Sequence, residues 1–250
     1  MNKIPCFIIS YNRLTYLRSC IEALKKDDRL KLIVLDNNST YPPLLEYFKD
    51  PIFDEENIIL ARSIYNFGYR ILWESDEIKK TFRHYIDEGP YLVTDCDILP
   101  PWPNIEPTNK NDWLSKLLEG LEKYPEINKI GLGLRKHDIY DSKLRHEVNN
   151  HENSLFKEEV GDPEFIKMPV DTTLAIYRQG YFHWSIFGTD SPLFEPATKG
   201  CLSMRTKGPD YEAIHIPWYE SEKYRQSEEH QFYLNSIKPG STHWTERELK

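Results

Sequence analysis

Disulfide-forming cysteine patterns and excess basic charge are both missing from this 250-residue chain. Its four cysteines, Cys6, Cys20, Cys96 and Cys201, form no CxxC pair, which favours reduced thiols in a cytoplasmic protein. Lysine and arginine number 32 against 40 acidic residues, so the net charge is −8. Nucleic acids and anionic membranes select basic surfaces, and we therefore expect neither as the main partner.

Long apolar runs are missing as well. The apolar stretch within MNKIPCFIISYNR is too short for a signal peptide or a membrane helix, and no later run approaches the length of a membrane span. We therefore expect no integral membrane segment and a cytoplasmic location. Hydrophobic residues make up 39% of the chain and aromatic residues 13%, which is enough for a sizeable core in one large domain.

Apolar runs and amphipathic stretches alternate along the first hundred residues. Strands are predicted at 4–9, 31–36, 57–60 and 90–95, and helices at 14–24, 44–48 and 71–86. This order predicts an α/β fold with a mostly parallel central sheet flanked by helices. The second half predicts a helix at 112–125 and strands at 129–134, 172–178 and 211–219, with a polar, partly helical excursion at about 135–167 that could be a mobile flap.

Polar side chains follow the predicted strands where each strand ends. In parallel sheets, ligands bind outside the carboxyl ends of the strands. We therefore expect these side chains to converge on one edge of the sheet: Ser10, Tyr11, Asn12, Asp36, Asn66 and Asp95.

Two aspartates, Asp95 and Asp97, end the buried run in YLVTDCDILP. Like charges at the end of a buried strand repel each other and resist desolvation unless something positive lies beside them. A single carboxylate at such a position can also cap a helix or bind a loop. Two carboxylates suit a hard divalent cation, Mg²⁺ or Mn²⁺, that keeps open positions for the phosphate oxygens of a substrate.

Four segments in this order resemble the GT-A glycosyltransferases, in particular the family 2-like nucleotide-sugar transferases of the small bacterial and viral type. They are PCFIISYNRLTYLRSCIEAL, LIVLDNNST, NFGYR and YLVTDCDILP, and the likeness covers roughly residues 4–100. PVDTTLAIYR, HIPWY and STHW resemble later elements. The resemblance implies one Rossmann-like GT-A domain over 1–250, with a nucleotide-binding half at 1–100 and an acceptor-binding half at 101–250.

The same resemblance implies a metal-dependent transfer of a sugar from a nucleotide-diphosphate sugar to a hydroxyl of a glycan or glycoconjugate acceptor. A UDP-sugar is the favoured donor, because the counterpart of Asp36 commonly binds uracil. The implied donor-binding residues are Ser10, Tyr11 and Asn12 at the base and ribose, Asp36 at the base, and Asn66 and Arg70 near the nucleotide or diphosphate.

The implied metal site holds Mn²⁺ or Mg²⁺. Asp97 would coordinate the cation directly, and Asp95 would touch the ribose or reach the cation through water. His215 in HIPWY resembles the late histidine that completes the site in many of these enzymes, and His243 in STHW is the rival for that role.

An inverting transfer also needs a carboxylate that takes the proton of the acceptor hydroxyl. Family 2 members usually offer an aspartate in a Glu-Asp pair, and this sequence has no such dipeptide. Asp171 is the first candidate for the base, with Asp190 and Asp210 as fallbacks. The aromatic candidates for stacking on acceptor sugars, each of which could instead belong to the core, are Trp184, Trp218 and Tyr219.

Two other functions remain open at this point. A sugar-phosphate nucleotidyltransferase would have the same kind of fold, but the glycine-rich, basic phosphate loop expected near its N-terminus is missing. A noncatalytic module that binds carbohydrate or nucleotide is disfavoured by the intact D-x-D. The sequence leaves the donor sugar, the acceptor and the stereochemical course undecided.

Overall fold

The computed structural model describes residues 3–101, 112–189 and 201–237. Two of the residues considered above, Asp190 and His243, lie outside them. Within the described residues the strands are β1 Ile4–Ser10, β2 Leu30–Asp36, β3 Ile58–Arg62, β4 Tyr91–Asp95, β5 Ile98–Leu99, β6 Lys129–Gly131, β7 Gly133–Leu134, β8 Phe165–Lys167, β9 Ala175–Tyr177, β10 Ser203–Thr206 and β11 Glu212–His215.

Eight of these strands form a central sheet in the order β3-β2-β1-β4-β9-β6-β10-β8. β9 runs antiparallel to both of its neighbours, and β8 is antiparallel to β10 at the edge. The other six strands point the same way, so the predicted α/β fold with a mostly parallel sheet is confirmed. A second sheet of three short strands has the order β5-β11-β7.

Helices follow the strands as the sequence predicted, with one interruption. Ser75 has an extended backbone and its side chain caps the next helix, so the single helix expected at 71–86 is two. The helices are α1 Leu14–Leu24, α2 Pro42–Tyr47, α3 Ile71–Glu74, α4 Asp76–Glu88, α5 Trp113–Lys123, α6 Ser142–Ser154, α7 Glu222–Arg225 and α8 Glu228–Ser236, with 3₁₀ turns at Pro51–Asp54, Gly68–Arg70, Pro209–Tyr211 and Ile216–Tyr219.

Apolar layers cover both faces of the central sheet. Successive side chains of a strand point to opposite faces, so β1 sends Ile8 to the layer that holds Leu17 and Ile21 of α1, and Phe7 to the layer that holds Phe82 of α4. Burial of these two layers holds the helices against the sheet. All four cysteines are buried and unpaired.

The polar excursion at about 135–167 is packed against the sheet, and its movement as a flap stays a prediction. Its α6 buries Val148, and Glu152 of the same helix accepts a hydrogen bond from Arg205 Nη1 at 2.9 Å in a buried ion pair. Its last strand, β8, pairs with β10 at the edge of the central sheet. These contacts join distant parts of the chain, and local polarity did not reveal them.

Three predicted strands are shorter than the sequence suggested, and the one expected at 172–178 is a strand only over β9. The segment 129–134 splits between the two sheets as β6 and β7. The segment 211–219 is a strand only over β11, and Pro217 then lies in a 3₁₀ turn. Proline has no N–H to donate to a strand ladder, which explains why the strand stops before it.

The side chain of one lysine on β6 is buried within the fold. Lys129 is fully buried, and its Nζ has no hydrogen-bond partner within the described residues. The nitrogen lies 5.3 Å from the centre of the Tyr177 ring. Burial disfavours the charged form and lowers the pKa of Lys129 to about 7.

Replacement of this lysine by methionine is expected to stabilise the protein. In the unfolded chain a lysine titrates near pH ~10.4, so between about pH 7 and that value the unfolded state binds more protons and stability rises with pH. Lys129→Met removes the free-energy cost of burying a charged lysine. That cost is largest below the pKa that Lys129 has in the folded protein. We expect the free energy of unfolding at about pH 6 to rise by roughly 2–4 kcal/mol, and its pH dependence to weaken.

Urea denaturation of the parent, Lys129→Met and Lys80→Met at about pH 6 and about pH 9 measures this effect. Lys80 is an exposed lysine on α4 and serves as the matched control. A Lys129→Met protein that unfolds more easily than the parent at the lower pH would show that the ammonium group is stabilised where it lies.

Candidate active site

The carboxyl ends of four parallel strands meet at one edge of the central sheet. The strand register pairs Ser10 with Asp36, Ile9 with Asp95, and Asp36 with Arg62. The polar residues that end β1, β2, β3 and β4 are therefore neighbours in space. The structure thus brings together the strand-end groups that the sequence placed there.

Asp97 lies next to a positively charged side chain of the protein. Its Oδ2 accepts a hydrogen bond from Arg13 Nη1 at 3.2 Å, and the Arg13 side chain is only 6% exposed. His215 Nε2 lies 3.8 Å from the same oxygen. The positive group required beside the two aspartates is therefore Arg13 in this structure.

The small sheet places His215 beside Asp97. β5 follows Asp97 directly and pairs antiparallel with β11, so that His215 is opposite Ile98. The backbone N–H of Ile216 donates to Asp97 O at 2.8 Å and closes this arrangement. Two segments more than a hundred residues apart are thereby held in one register.

Three carboxylates gather around the end of β4. Thr172 Oγ1 donates to Asp95 Oδ2 at 2.6 Å, and Asp95 N donates to Thr172 O at 2.8 Å. Burial, followed by the charges of Asp97 and Asp171, raises the pKa of Asp95 well above its usual range. Asp171 itself is exposed, and its Oδ1 accepts a hydrogen bond from Thr172 N at 2.9 Å.

Asn12 and Asp36 hold neighbouring turns together. Asn12 has a left-handed backbone (φ 52°), and its Oδ1 accepts hydrogen bonds from Thr40 N and Tyr41 N at 2.7 and 2.9 Å. Asp36 is fully buried and accepts a hydrogen bond from Arg62 Nε at 3.0 Å. Asn12 and Asp36 therefore stabilise the turns at the ends of the strands. The contact of either residue with a nucleotide base stays a prediction.

The first turn also offers two hydroxyl groups. Ser10 Oγ is buried and has no hydrogen-bond partner within the described residues. The Tyr11 hydroxyl donates to Ser236 O of α8 at 3.1 Å. Asn12 Nδ2 reaches the same helix, donating to Ser236 Oγ at 3.1 Å, so α8 closes over this end of the site.

The NFGYR loop is fixed to the end of β2 by Asn37. Asn37 Nδ2 donates to Gly68 O at 3.0 Å, and Asn37 Oδ1 accepts from Phe67 N at 3.0 Å. Asn66 Oδ1 accepts from Gly68 N at 2.8 Å. The guanidinium of Arg70 donates to Glu74 at 2.6 Å, so both donor-binding candidates of this loop lie beside the sheet edge with internal partners.

Trp184 lies against the same loop. Its ring is 5.5 Å from Tyr69 in an edge-to-face arrangement, and the Arg70 guanidinium lies 5.9 Å from the Trp184 ring. Tyr69 is partly exposed, and Asp171 is close enough to be one of the groups that raise its pKa, after burial. An aromatic surface therefore borders the carboxylates.

The other two aromatic candidates are placed differently. Trp218 is 4% exposed and packs in the core with its ring 4.7 Å from His215, so it cannot stack on a sugar, and its assignment is corrected to a core residue. The Tyr219 hydroxyl lies 2.8 Å from Arg135 O and 3.0 Å from Asp138 Oδ1, and its single hydrogen is donated to one of these acceptors or shared between them. Asp210, one of the fallback bases, lies in the exposed turn Pro209–Tyr211 before β11.

The groups around Asp97 fit a divalent cation that has further ligands. Burial lowers the pKa of His215 and so favours the neutral imidazole, the form that coordinates metals, and a carboxylate oxygen with an imidazole nitrogen is a donor set that Mn²⁺ and Mg²⁺ accept. Over residues 3–101, 112–189 and 201–237, no three His, Cys, Asp or Glu side chains form a group that could hold a metal alone. Water or substrate oxygens would have to complete the coordination.

Sequence reasoning missed several residues of this site, chiefly Arg13, Asn37, Tyr69 and Thr172. Arg13 directly follows Ser10-Tyr11-Asn12 in a motif already singled out, and Thr172 directly follows Asp171. The only indication in the sequence that Arg13 and Thr172 belong to the site was therefore that each directly follows a predicted site residue. Their partners lie far away in sequence, which is why the contacts themselves were not predictable.

Comparison with known proteins gives relatives without an assigned activity. No protein-family model matches the chain. Two uncharacterized proteins of Acanthamoeba polyphaga mimivirus are similar: one is 31% identical over 132 residues, covering 49% of this chain, and the other 25% identical over 189 residues, covering 71%. The matched regions span only 14% and 23% of those longer proteins.

The similar solved structures include GT-A-type glycosyltransferases, the group that the sequence motifs resemble. One is a mannosyltransferase from Pyrobaculum calidifontis in complex with GDP-Man and Mn²⁺, with 13% identity, a TM-score of 0.48, and coverage of 99% of this chain and 74% of that one. Another is S. aureus TarS in complex with UDP-GlcNAc, with 16% identity, a TM-score of 0.36, and coverage of 53% and 34%. In the described part of the chain, no helix has the length and apolar character needed to span a membrane.

Proposed function

We propose that this chain is a metal-dependent glycosyltransferase that moves a sugar from a nucleotide-diphosphate sugar, with a UDP-sugar favoured, to a hydroxyl of a glycan or glycoconjugate. One observation carries the proposal: Asp97 and His215 converge beside Asp95 and Asp171 at the carboxyl edge of the parallel strands. That edge is where α/β sheets bind their ligands. The buried unpaired cysteines agree with the cytoplasmic location predicted from the sequence.

Asp97 and His215 would hold the cation. When bound there, Mn²⁺ or Mg²⁺ supplies a Lewis acid that stabilises the negative charge on the departing diphosphate. Asp95, fixed by Thr172, is placed to contact the ribose. Ser10 Oγ, which is buried without a partner in the described residues, is a hydrogen-bonding group available to the nucleotide.

Asp171 is the proposed general base. Its Oδ1 is engaged by Thr172 N, which leaves Oδ2 to take the proton of the acceptor hydroxyl. Its exposed position suits an acceptor that arrives from solvent. The aromatic pair Tyr69 and Trp184, adjoining Arg70, is the proposed acceptor surface, because aromatic rings offer apolar faces for stacking on sugars. Tyr219 remains a second candidate for that surface.

Calorimetric titration of the protein with UDP, GDP and dTDP, with and without Mn²⁺, tests the proposal. We expect at least one of them to bind, with affinity falling about tenfold or more when Mn²⁺ is left out or when Asp97 is replaced in Asp97→Asn. Asp28→Asn is the matched control, since Asp28 is exposed and precedes β2 at the opposite end of the strand.

The two alternative functions predict other results when the titration is followed by a measurement of turnover. A nucleotidyltransferase would join a sugar phosphate to a nucleoside triphosphate and release pyrophosphate. A noncatalytic module would bind nucleotide or sugar without cleaving any nucleotide sugar. Absence of binding for all three nucleotides would contradict a nucleotide-sugar transferase.

A further inference from the structure

Asp97 faces two groups that compete for the same oxygen. Arg13 Nη1 donates to Asp97 Oδ2 at 3.2 Å, and His215 Nε2, the other proposed ligand of the cation, lies 3.8 Å from it. Within the described residues, Asp97 is the carboxylate that forms an ion pair with Arg13. The charge of Asp97, the carboxylate proposed to hold the cation, is therefore already paired with an arginine of the protein.

Arg13 is held where it lies. Its guanidinium packs 3.8 Å from the centre of the Tyr233 ring and 4.8 Å from that of Tyr16. Tyr233 belongs to α8, which is tied to the start of α1 because Thr15 N and Oγ1 both donate to Glu229, at 2.9 and 2.7 Å. A buried side chain packed between two rings cannot simply swing into solvent when a cation arrives.

A cation entering beside Asp97 would therefore meet the positive charge of Arg13 at close range. Two protein ligands, one of them already paired, are a weak site for a hard cation that prefers several oxygens. A nucleoside diphosphate changes this balance, because its phosphate oxygens coordinate the cation and their negative charge offsets that of Arg13.

We propose that Arg13 suppresses cation binding by the nucleotide-free protein and thereby makes the cation and the nucleoside diphosphate bind together. This inference rests on the metal site of the proposed function. Arg13 acts here through Asp97, as a positioning residue. Its consequence is a protein that holds little cation until the diphosphate is present.

Titrations in which the electron paramagnetic resonance signal of free Mn²⁺ measures its binding test this proposal without any turnover. The titrations use Mn²⁺ alone and Mn²⁺ with UDP or GDP. The variants are Arg13→Met and Arg13→Gln, which remove the charge, Arg13→Lys, which keeps it, and Arg18→Met, which removes an exposed arginine from α1, the helix that begins directly after Arg13. Thermal unfolding of each variant identifies any that does not fold, and either neutral variant is sufficient.

We expect Arg13→Met and Arg13→Gln to bind Mn²⁺ alone about tenfold more tightly than the parent. Addition of nucleotide should then raise their affinity for Mn²⁺ by a smaller factor than it does in the parent. Arg13→Lys and Arg18→Met should resemble the parent. If the parent binds Mn²⁺ with nucleotide but the neutral variants bind Mn²⁺ alone no more tightly, the inference is wrong while the proposed function stands. If the parent binds no Mn²⁺ under any condition, both fail.

Discussion

Asp97→Asn is expected to lower kcat/KM for sugar transfer on the order of 10³-fold. The carboxylate is the charged ligand of the proposed cation, and asparagine keeps its shape while removing the charge. Without the cation, the leaving diphosphate has no Lewis acid to stabilise it. Release of nucleoside diphosphate from the donor, measured with saturating Mn²⁺, gives the comparison with the parent.

This variant also removes the counter-charge of a buried arginine. Arg13 would remain in the protein without its partner, and breaking such a pair can destabilise a fold by roughly 3–5 kcal/mol. The double variant Arg13→Met, Asp97→Asn removes both charges and should recover stability without recovering transfer. Parent-like, Mn²⁺-dependent transfer by Asp97→Asn alone would exclude Asp97 as the metal ligand.

Asp171→Asn is expected to lower kcat by roughly 10²-fold or more while leaving the affinity for donor and Mn²⁺ nearly unchanged. The asparagine retains an oxygen that can accept the hydrogen bond from Thr172 N, so the local backbone should keep its shape. A large loss then reports proton transfer and not packing. The measurement is single-turnover transfer together with a donor titration.

The matched control for the base is Asp210→Asn, since Asp210 is also exposed in the second half of the chain. Transfer that is lost in Asp210→Asn but kept in Asp171→Asn would move the assignment to Asp210. Stereochemistry gives an independent check: a product that retains the anomeric configuration would remove the need for this base.

The first half of the fold could be predicted because its signals are local. Buried parallel strands such as β2 read as continuous apolar runs, and α1 repeats its apolar residues at helical spacing. Ser75 is the instructive exception. A serine suits a cap as well as an exposed helical position, so the break between α3 and α4 was visible only in the structure.

The second half depends on contacts between distant segments. β10 has the sequence SMRT, and its polar residues are buried because they find partners elsewhere: Ser203 Oγ donates to Met168 O, and Arg205 pairs with Glu152. The spacing of apolar residues in this segment does not predict a strand. The helices α7 and α8 were missed for a related reason, since each is short and mostly polar along the sequence.

The candidate site was predicted in outline, and its electrostatics were not. The sequence indicated that Asp95 and Asp97 need a positive neighbour, and the resemblance to GT-A glycosyltransferases implied that His215 or His243 lies near them. A metal ion was the natural inference, because ligand types can be recognised from sequence. The guanidinium that occupies this place belongs to Arg13, and its position depends on how the start of α1 is held against α8.

The most direct test of the proposed activity is release of nucleoside diphosphate from UDP-, GDP- and dTDP-sugars by the chain in the presence and absence of Mn²⁺. We expect one of these donors to lose its sugar to water or to an added glycan, with Mn²⁺ required and Asp97→Asn inactive. If Mn²⁺ leaves every donor intact and none of the three nucleotides binds, the chain is not a nucleotide-sugar transferase of this kind.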